Sequence, residues 1–135
     1  MTDIAHLERI LYVEDEAMLQ LITRKTLEKI GGFTVEVCGL GGKAVAMARA
    51  FRPDIILLDV MMPDIDGPTV LEHLRQDPET LAIPVIFVTA KVQPEEIERF
   101  LALGAVGVIA KPFDPLTLSE DVRNHWQRHH SRQAG

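Results

Sequence analysis

The chain has 135 residues, 47% of them hydrophobic and 25% charged, with 14 Lys and Arg against 20 Asp and Glu for a formal charge of −6. This length fits one domain with its own core, and the acidic balance argues against nonspecific nucleic-acid binding. Cys38 is the single cysteine, so no internal disulfide forms. With no basic, apolar leader, the expected setting is a reducing cytoplasm. The apolar stretch from Leu81 to Ala90 is too short to span a bilayer and contains Pro84, so membrane insertion is not expected.

Arg9 to Val13 predicts a first strand, ended by Glu14-Asp15-Glu16. Met18, Leu19, Ile22, Thr26, Leu27 and Ile30 fall near helical spacing, and Gly31-Gly32 supplies a stop. Phe33 to Cys38 alternates as a second strand with Cys38 as a buried residue, and Gly39 to Gly42 forms the turn before an Ala-rich helix over Lys43 to Phe51. Ile55 to Leu58 is an uninterrupted apolar run closed by Asp59, the pattern of a strand buried on both faces. Asp66-Gly67-Pro68 then places a cap and an early proline before Val70, Leu71 and Leu74.

Pro84 to Val88 reads as a fourth strand ending in Thr89-Ala90-Lys91. Gln93-Pro94-Glu95-Glu96 opens a helix with Ile97, Phe100 and Leu101 on one face and Gly104 at its end. Val106 to Ala110 is the fifth strand, left through Lys111-Pro112-Phe113. Asp114-Pro115 caps a last helix that buries Leu118, Val122 and Trp126. The polar stretch from Gln127 to Gly135 has no apolar period and is expected to fray. Surface placement is expected for all five histidines. Alternating strands and helices predict an α/β fold, a five-stranded parallel sheet in the order 2-1-3-4-5 with helices on both faces. Residues 1–8 are a lead-in, 9–126 the domain and 127–135 a polar tail, with no output domain expected.

The polar residues that interrupt this pattern sit at carboxyl strand ends, where open α/β sheets bind ligands. They are Glu14 and Asp15, Asp59, Thr89 and Lys111. Singly, each has an ordinary reading: helix caps, a turn-forming Asp, a strand-end hydroxyl, a solvated charge. Together they lie on one edge. Neighbouring strands are about 4.8 Å apart and strand five is about 10 Å from strand three, a gap that a lysine stem spans. Carboxylates so placed repel by about 4 kcal/mol per pair at 4 Å and an effective dielectric near 20. Lys111 and a hard dication such as Mg²⁺ answer that repulsion. A carboxylate held beside these cations and a hydroxyl can attack a phosphoryl group and become an aspartyl phosphate.

These motifs, Glu14-Asp15, Leu57-Leu58-Asp59-Val60-Met61-Met62-Pro63 with Asp66-Gly67, Val88-Thr89-Ala90 and Ala110-Lys111-Pro112-Phe113, resemble those of receiver domains of two-component response regulators. The likeness runs from about Arg9 to Trp126 and is similar to the single-domain chemotaxis regulators, with their flavodoxin-like (βα)5 fold. It implies that Asp59 accepts a phosphoryl group from a histidine kinase or phosphotransfer protein. It further implies that Glu14, Asp15, Asp59 and the Met61 carbonyl hold Mg²⁺, that Thr89 and Lys111 bind phosphoryl oxygens, and that the Lys111-Pro112 bond is cis. Signal then leaves through protein contacts to a downstream target, from a monomer or a weak phosphorylation-dependent dimer, without turnover of external substrates.

Two positions depart from the family pattern. Glu14 stands where Asp is frequent, and metal binding is expected to survive. Val108 stands where many members carry an aromatic that rotates when the threonine moves. Output is therefore expected to run through the Thr89–Gln93 loop and the fourth helix without an aromatic gate. Three other readings compete for the same residues. A dehalogenase-like phosphotransferase resembles Asp-x-Asp at the nucleophile, but the second position here is Met61, which carries no proton. A flavin domain needs a phosphate cradle where Glu14-Asp15-Glu16 would repel phosphate. A phosphorylation-independent binding module keeps the fold but leaves the acid, hydroxyl and lysine set without a role.

Overall fold

Apolar runs of four or five residues, too short for helices and bounded by turn residues, become strands, and each intervening helix carries the chain back to start the next strand in parallel. The computed structural model describes residues 6–134. Its elements are β1 (Arg9–Val13), α1 (Ala17–Lys29), β2 (Thr34–Cys38), α2 (Ala44–Phe51, after a 3₁₀ turn at Gly41–Lys43) and β3 (Ile55–Asp59). They continue with α3 (Gly67–Arg75), β4 (Val85–Thr89), α4 (Pro94–Ala102), β5 (Gly107–Ala110) and α5 (Leu118–Ala134). The strands form one parallel sheet in the order β2-β1-β3-β4-β5, as the sequence predicts.

β3 and β4 are buried along their whole length, which is why they read as unbroken apolar runs. Side chains still alternate between faces. Ile10 and Tyr12, Ile55 and Leu57, Ile86 and Val88, and Ile109 pack with Leu27 of α1 and Leu118, Val122 and Trp126 of α5. Leu11, Val13, Ile56, Leu58, Val85 and Phe87 pack with α2, α3 and Phe100 of α4. Cys38 is buried as expected, its thiol directed at the Leu40 carbonyl 3.1 Å away. Among the described residues no helix is long and apolar enough to cross a membrane.

Three expectations are corrected. The inward stripe of α1 is Thr23 and Leu27, while Met18 and Ile22 are 60% and 40% exposed and Leu21 and Ile30 also face solvent. A polar Thr23 above the Tyr12 phenol interrupts the apolar period and hides the true face. The stretch expected to fray continues as helix, α5 running to Ala134. Trp126 supports this extension: its ring lies 4.0 Å from that of His130, whose Nδ1 is 3.1 Å from the Trp126 carbonyl. Among the histidines only His6 and His73 are exposed. His125, His129 and His130 are half-buried on α5, and the His125 ring lies over Gly107, where a Cβ would collide with it.

Candidate functional site

Register brings the strand-end polar groups to one place. Val13 pairs with Leu58, Asp59 with Val88, and Thr89 with Ala110. Glu14, Asp59 and Lys111 therefore end their strands in close succession, and each continues the alternation that faces α1 and α5. Thr89 belongs to the opposite set, beyond Val85 and Phe87. Its hydroxyl accepts the Lys91 N–H at 3.0 Å.

Carboxylate oxygens of Glu14, Asp15 and Asp59 lie within 4.8 Å of one another. Glu14 and Asp59 are only 1% and 3% exposed, whereas Asp15 is open to solvent. Lys111 reaches across the sheet, its Nζ 2.8 Å from Glu14 Oε1 and 3.2 Å from Asp59 Oδ1. Burial works against the lysine ammonium, but its contacts with Glu14 and Asp59 outweigh that and raise its pKa. Burial, then the neighbouring Glu14 charge, pushes the Asp59 carboxyl above the usual carboxylate range, with Lys111 and the Met61 N–H pulling the other way. Three carboxylates facing one ammonium leave the pocket short of positive charge. Three hard oxygen donors converging on so small a space fit an Mg²⁺ ion, which favours carboxylates with water and phosphate oxygens.

The loops on either side are tied to the site. Met61 N–H points at Asp59 Oδ1 from 3.4 Å, so the Met61 peptide lines the mouth of the pocket. Asp66 caps α3 by accepting the Thr69 N–H at 2.9 Å. Gly67 N–H donates to the Val60 carbonyl at 2.8 Å, and a Cβ at Gly67 would lie 2.7 Å from the Asp59 carbonyl oxygen and 2.9 Å from Val60 Cα. The β3–α3 loop can pass this close only with glycine there. Asp64 accepts the Gly41 and Gly42 N–H groups at 3.2 and 2.9 Å, pinning the loop after β2 to the loop after β3, and these bonds lower its pKa. The Lys111–Pro112 peptide is cis, as the sequence resemblance implies.

Sequence reasoning brings Glu14, Asp15, Asp59 and Lys111 together correctly and places Thr89 on the same edge, although its hydroxyl is engaged elsewhere. It misses Tyr12. This residue is fully buried, and its phenol lies 3.2 Å from Glu14 Oε1. Burial pushes the phenol well above its ordinary range, the Thr23 hydroxyl opposes this, and Glu14 adds to it, so Tyr12 stays a proton donor. The signal was present in the sequence: a tyrosine two residues before an acid, on an otherwise aliphatic strand, puts both on one face.

The family model for the response regulator receiver domain matches residues 10–123. The phosphate regulon transcriptional regulatory protein PhoB of Rhizobium meliloti is 37% identical over 117 residues, covering 87% of this chain and 51% of that protein. The DNA-binding response regulator MtrA of Mycolicibacterium paratuberculosis is 35% identical over 131 residues, covering 94% and 55%. The chain thus spans about half the length of the curated relatives it matches. The chemotaxis response regulator CheY4 of Vibrio cholerae superposes with a TM-score of 0.81 at 29% identity, covering 89% of this chain and 99% of that one. The sheet order, the strand-end carboxylates and these likenesses agree: the chain belongs to the response regulator receiver domain family of two-component signalling.

Proposed function

We propose that Asp59 is the phosphoacceptor, that Glu14, Asp15, Asp59 and the Met61 carbonyl hold Mg²⁺, and that Thr89 and Lys111 bind the transferred phosphoryl oxygens. The observation that carries this reading is the Lys111 ammonium 3.2 Å from Asp59 Oδ1 inside the three-carboxylate pocket. The carboxylate oxygen of Asp59 attacks phosphorus as the phosphorus–nitrogen bond to a donor imidazole breaks, and the bonding pair leaves with the nitrogen. Lys111 neutralises charge on the equatorial oxygens, and Mg²⁺, when bound, supplies further charge stabilisation. Thr89 joins them by giving up its Lys91 contact.

The donor we infer is a sensor histidine kinase or a histidine phosphotransfer protein. An apolar recess of about 390 Å³ lined by Leu19, Ile22, Pro112, Phe113 and Pro115 opens beside Lys111 and offers such a partner an apolar contact next to the site. The output is a protein contact in the cytoplasm, with no turnover of external substrates, because Met61 supplies no acid or base after the nucleophile. Whatever whole protein carries it, the domain acts as its phosphorylation-controlled part.

Intact mass measured after incubation with Mg²⁺ and acetyl phosphate tests the reading. One phosphoryl adduct that requires Mg²⁺ and disappears in Asp59→Asn is the expected result. If no adduct forms and no Mg²⁺ binding is detected, the domain is a phosphorylation-independent binding module.

A further inference from the structure

Glu14 carries one methylene and one torsion more than an aspartate, so its carboxylate needs more contacts to stay in one place. Three contacts hold it. Oε2 accepts the Glu16 N–H at 3.1 Å, and Oε1 receives both Lys111 Nζ at 2.8 Å and the Tyr12 hydroxyl at 3.2 Å. Tyr12 is the single tyrosine of the chain and is fully buried. A buried phenol requires a partner. The other hydroxyl beside it, Thr23 Oγ1, has no partner in hydrogen-bond geometry, which leaves the Glu14 carboxylate as the acceptor that satisfies the phenol.

We propose that Tyr12 is a positioning residue for the cation site, holding Glu14 Oε1 so that the longer acid presents its carboxylate beside those of Asp15 and Asp59. This rests on the reading of those carboxylates as the Mg²⁺ site. Lys111 cannot serve the same purpose throughout, because in that reading it turns to the phosphoryl oxygens once Asp59 is modified. Tyr12 lies beneath Glu14 on the same face of the sheet, and its hydroxyl is hydrogen-bonded to Glu14 Oε1. A hydrogen-bonded group behind a ligand fixes the ligand's orientation, and its loss typically weakens the metal by about 10- to 100-fold.

The test is calorimetric titration of the full chain with Mg²⁺ in four forms: wild type, Tyr12→Phe, Glu14→Asp and the double variant. Tyr12→Phe is expected to weaken Mg²⁺ by about 10-fold or more in the Glu14 background. In the Glu14→Asp background the shorter acid withdraws from the phenol, and the same change is expected to alter affinity by less than about twofold. Equal weakening in both backgrounds, or none in either, overturns the proposal while leaving the Mg²⁺ site intact. A wild type that binds no Mg²⁺ overturns both. A second readout needs no variant: because Tyr12 is the only tyrosine, the tyrosine bands of the near-ultraviolet difference spectrum are expected to shift with the same Mg²⁺ midpoint as the heat. Tyrosine bands that stay still as Mg²⁺ saturates the protein also overturn the proposal.

Discussion

Lys111 sets its Nζ 2.8 Å from Glu14 Oε1 although β3 and β4 separate their strands in the sheet. The lysine is therefore the counter-ion of the pocket before any metal or phosphoryl group arrives. Lys111→Met is expected to lower the stability of the metal-free protein by about 1–3 kcal/mol, because Glu14 and Asp59 are left buried together without it. Urea unfolding in the presence of a chelator measures the loss. Saturating Mg²⁺ is expected to recover part of it, as any ligand that binds only the folded state does.

The raised Asp59 carboxyl makes a prediction about pH. A carboxyl whose pKa is higher when folded binds its proton more tightly in the folded state. Stability then falls as pH rises from the unfolded value, near 4, through the folded one. Asp59→Asn removes that loss. Without metal, the variant is expected to melt higher than wild type at pH 7, and the gap is expected to close toward pH 3. A variant that melts lower at pH 7 would show that the Lys111 contact outweighs burial and the Glu14 charge.

Asp66 has the opposite sign. Its pKa is lowered, chiefly by the Thr69 hydroxyl and N–H, so its contribution is present above pH 4 and is lost as pH falls through the folded value. Asp66→Ala is expected to cost about 1 kcal/mol at pH 7, the usual cost of losing an N-cap, and less at pH 3. Thermal melts at the two pH values compare them.

Gly67→Ala is expected to destabilise the domain by about 1–3 kcal/mol, because its Cβ meets backbone atoms of Asp59 and Val60, which cannot yield as a side chain can. The displaced atoms belong to the proposed phosphoacceptor Asp59 and the residue after it. Phosphorylation by acetyl phosphate should therefore slow even where the variant is fully folded, which rate measurements well below its melting temperature will show.

With Val108 half-buried against the α2–α4 core, no aromatic ring is available there to rotate. Movement is expected instead in the Thr89–Gln93 loop and α4, beginning with release of the Lys91 N–H from Thr89. Hydrogen exchange before and after adding a phosphoryl mimic should show faster exchange at Lys91. An unchanged loop would remove this route for output.

The sequence was most informative where burial on both faces forced continuous apolar runs. β3 and β4 stand out for that reason, as does Asp59, an acid closing such a run. It was least informative where a side chain's purpose depends on what lies beneath it. Thr23 looks like a break in the α1 period until Tyr12 is found under it, and Gly67 looks like turn chemistry until its approach to β3 is measured. The last helical turns from Gln127 contain good helix formers such as Gln and Arg, but they have no apolar stripe. Their support comes from a single stacked pair, Trp126 and His130, that no period reveals.

The sheet divides the interior into two sets of contacts, one shared with α1 and α5 and the other with α2, α3 and α4. Asp59, Glu14 and Lys111 lie on the first side and Thr89 on the second. In evolutionary terms the two sides are separable. Substitutions distant from one another across the sheet combine additively, so the face proposed to meet a phosphodonor could change its specificity while the face beyond Thr89 stays as it is. Thr89, which the proposed reaction would draw from the second side toward the first, is the position where such independent drift would meet a constraint.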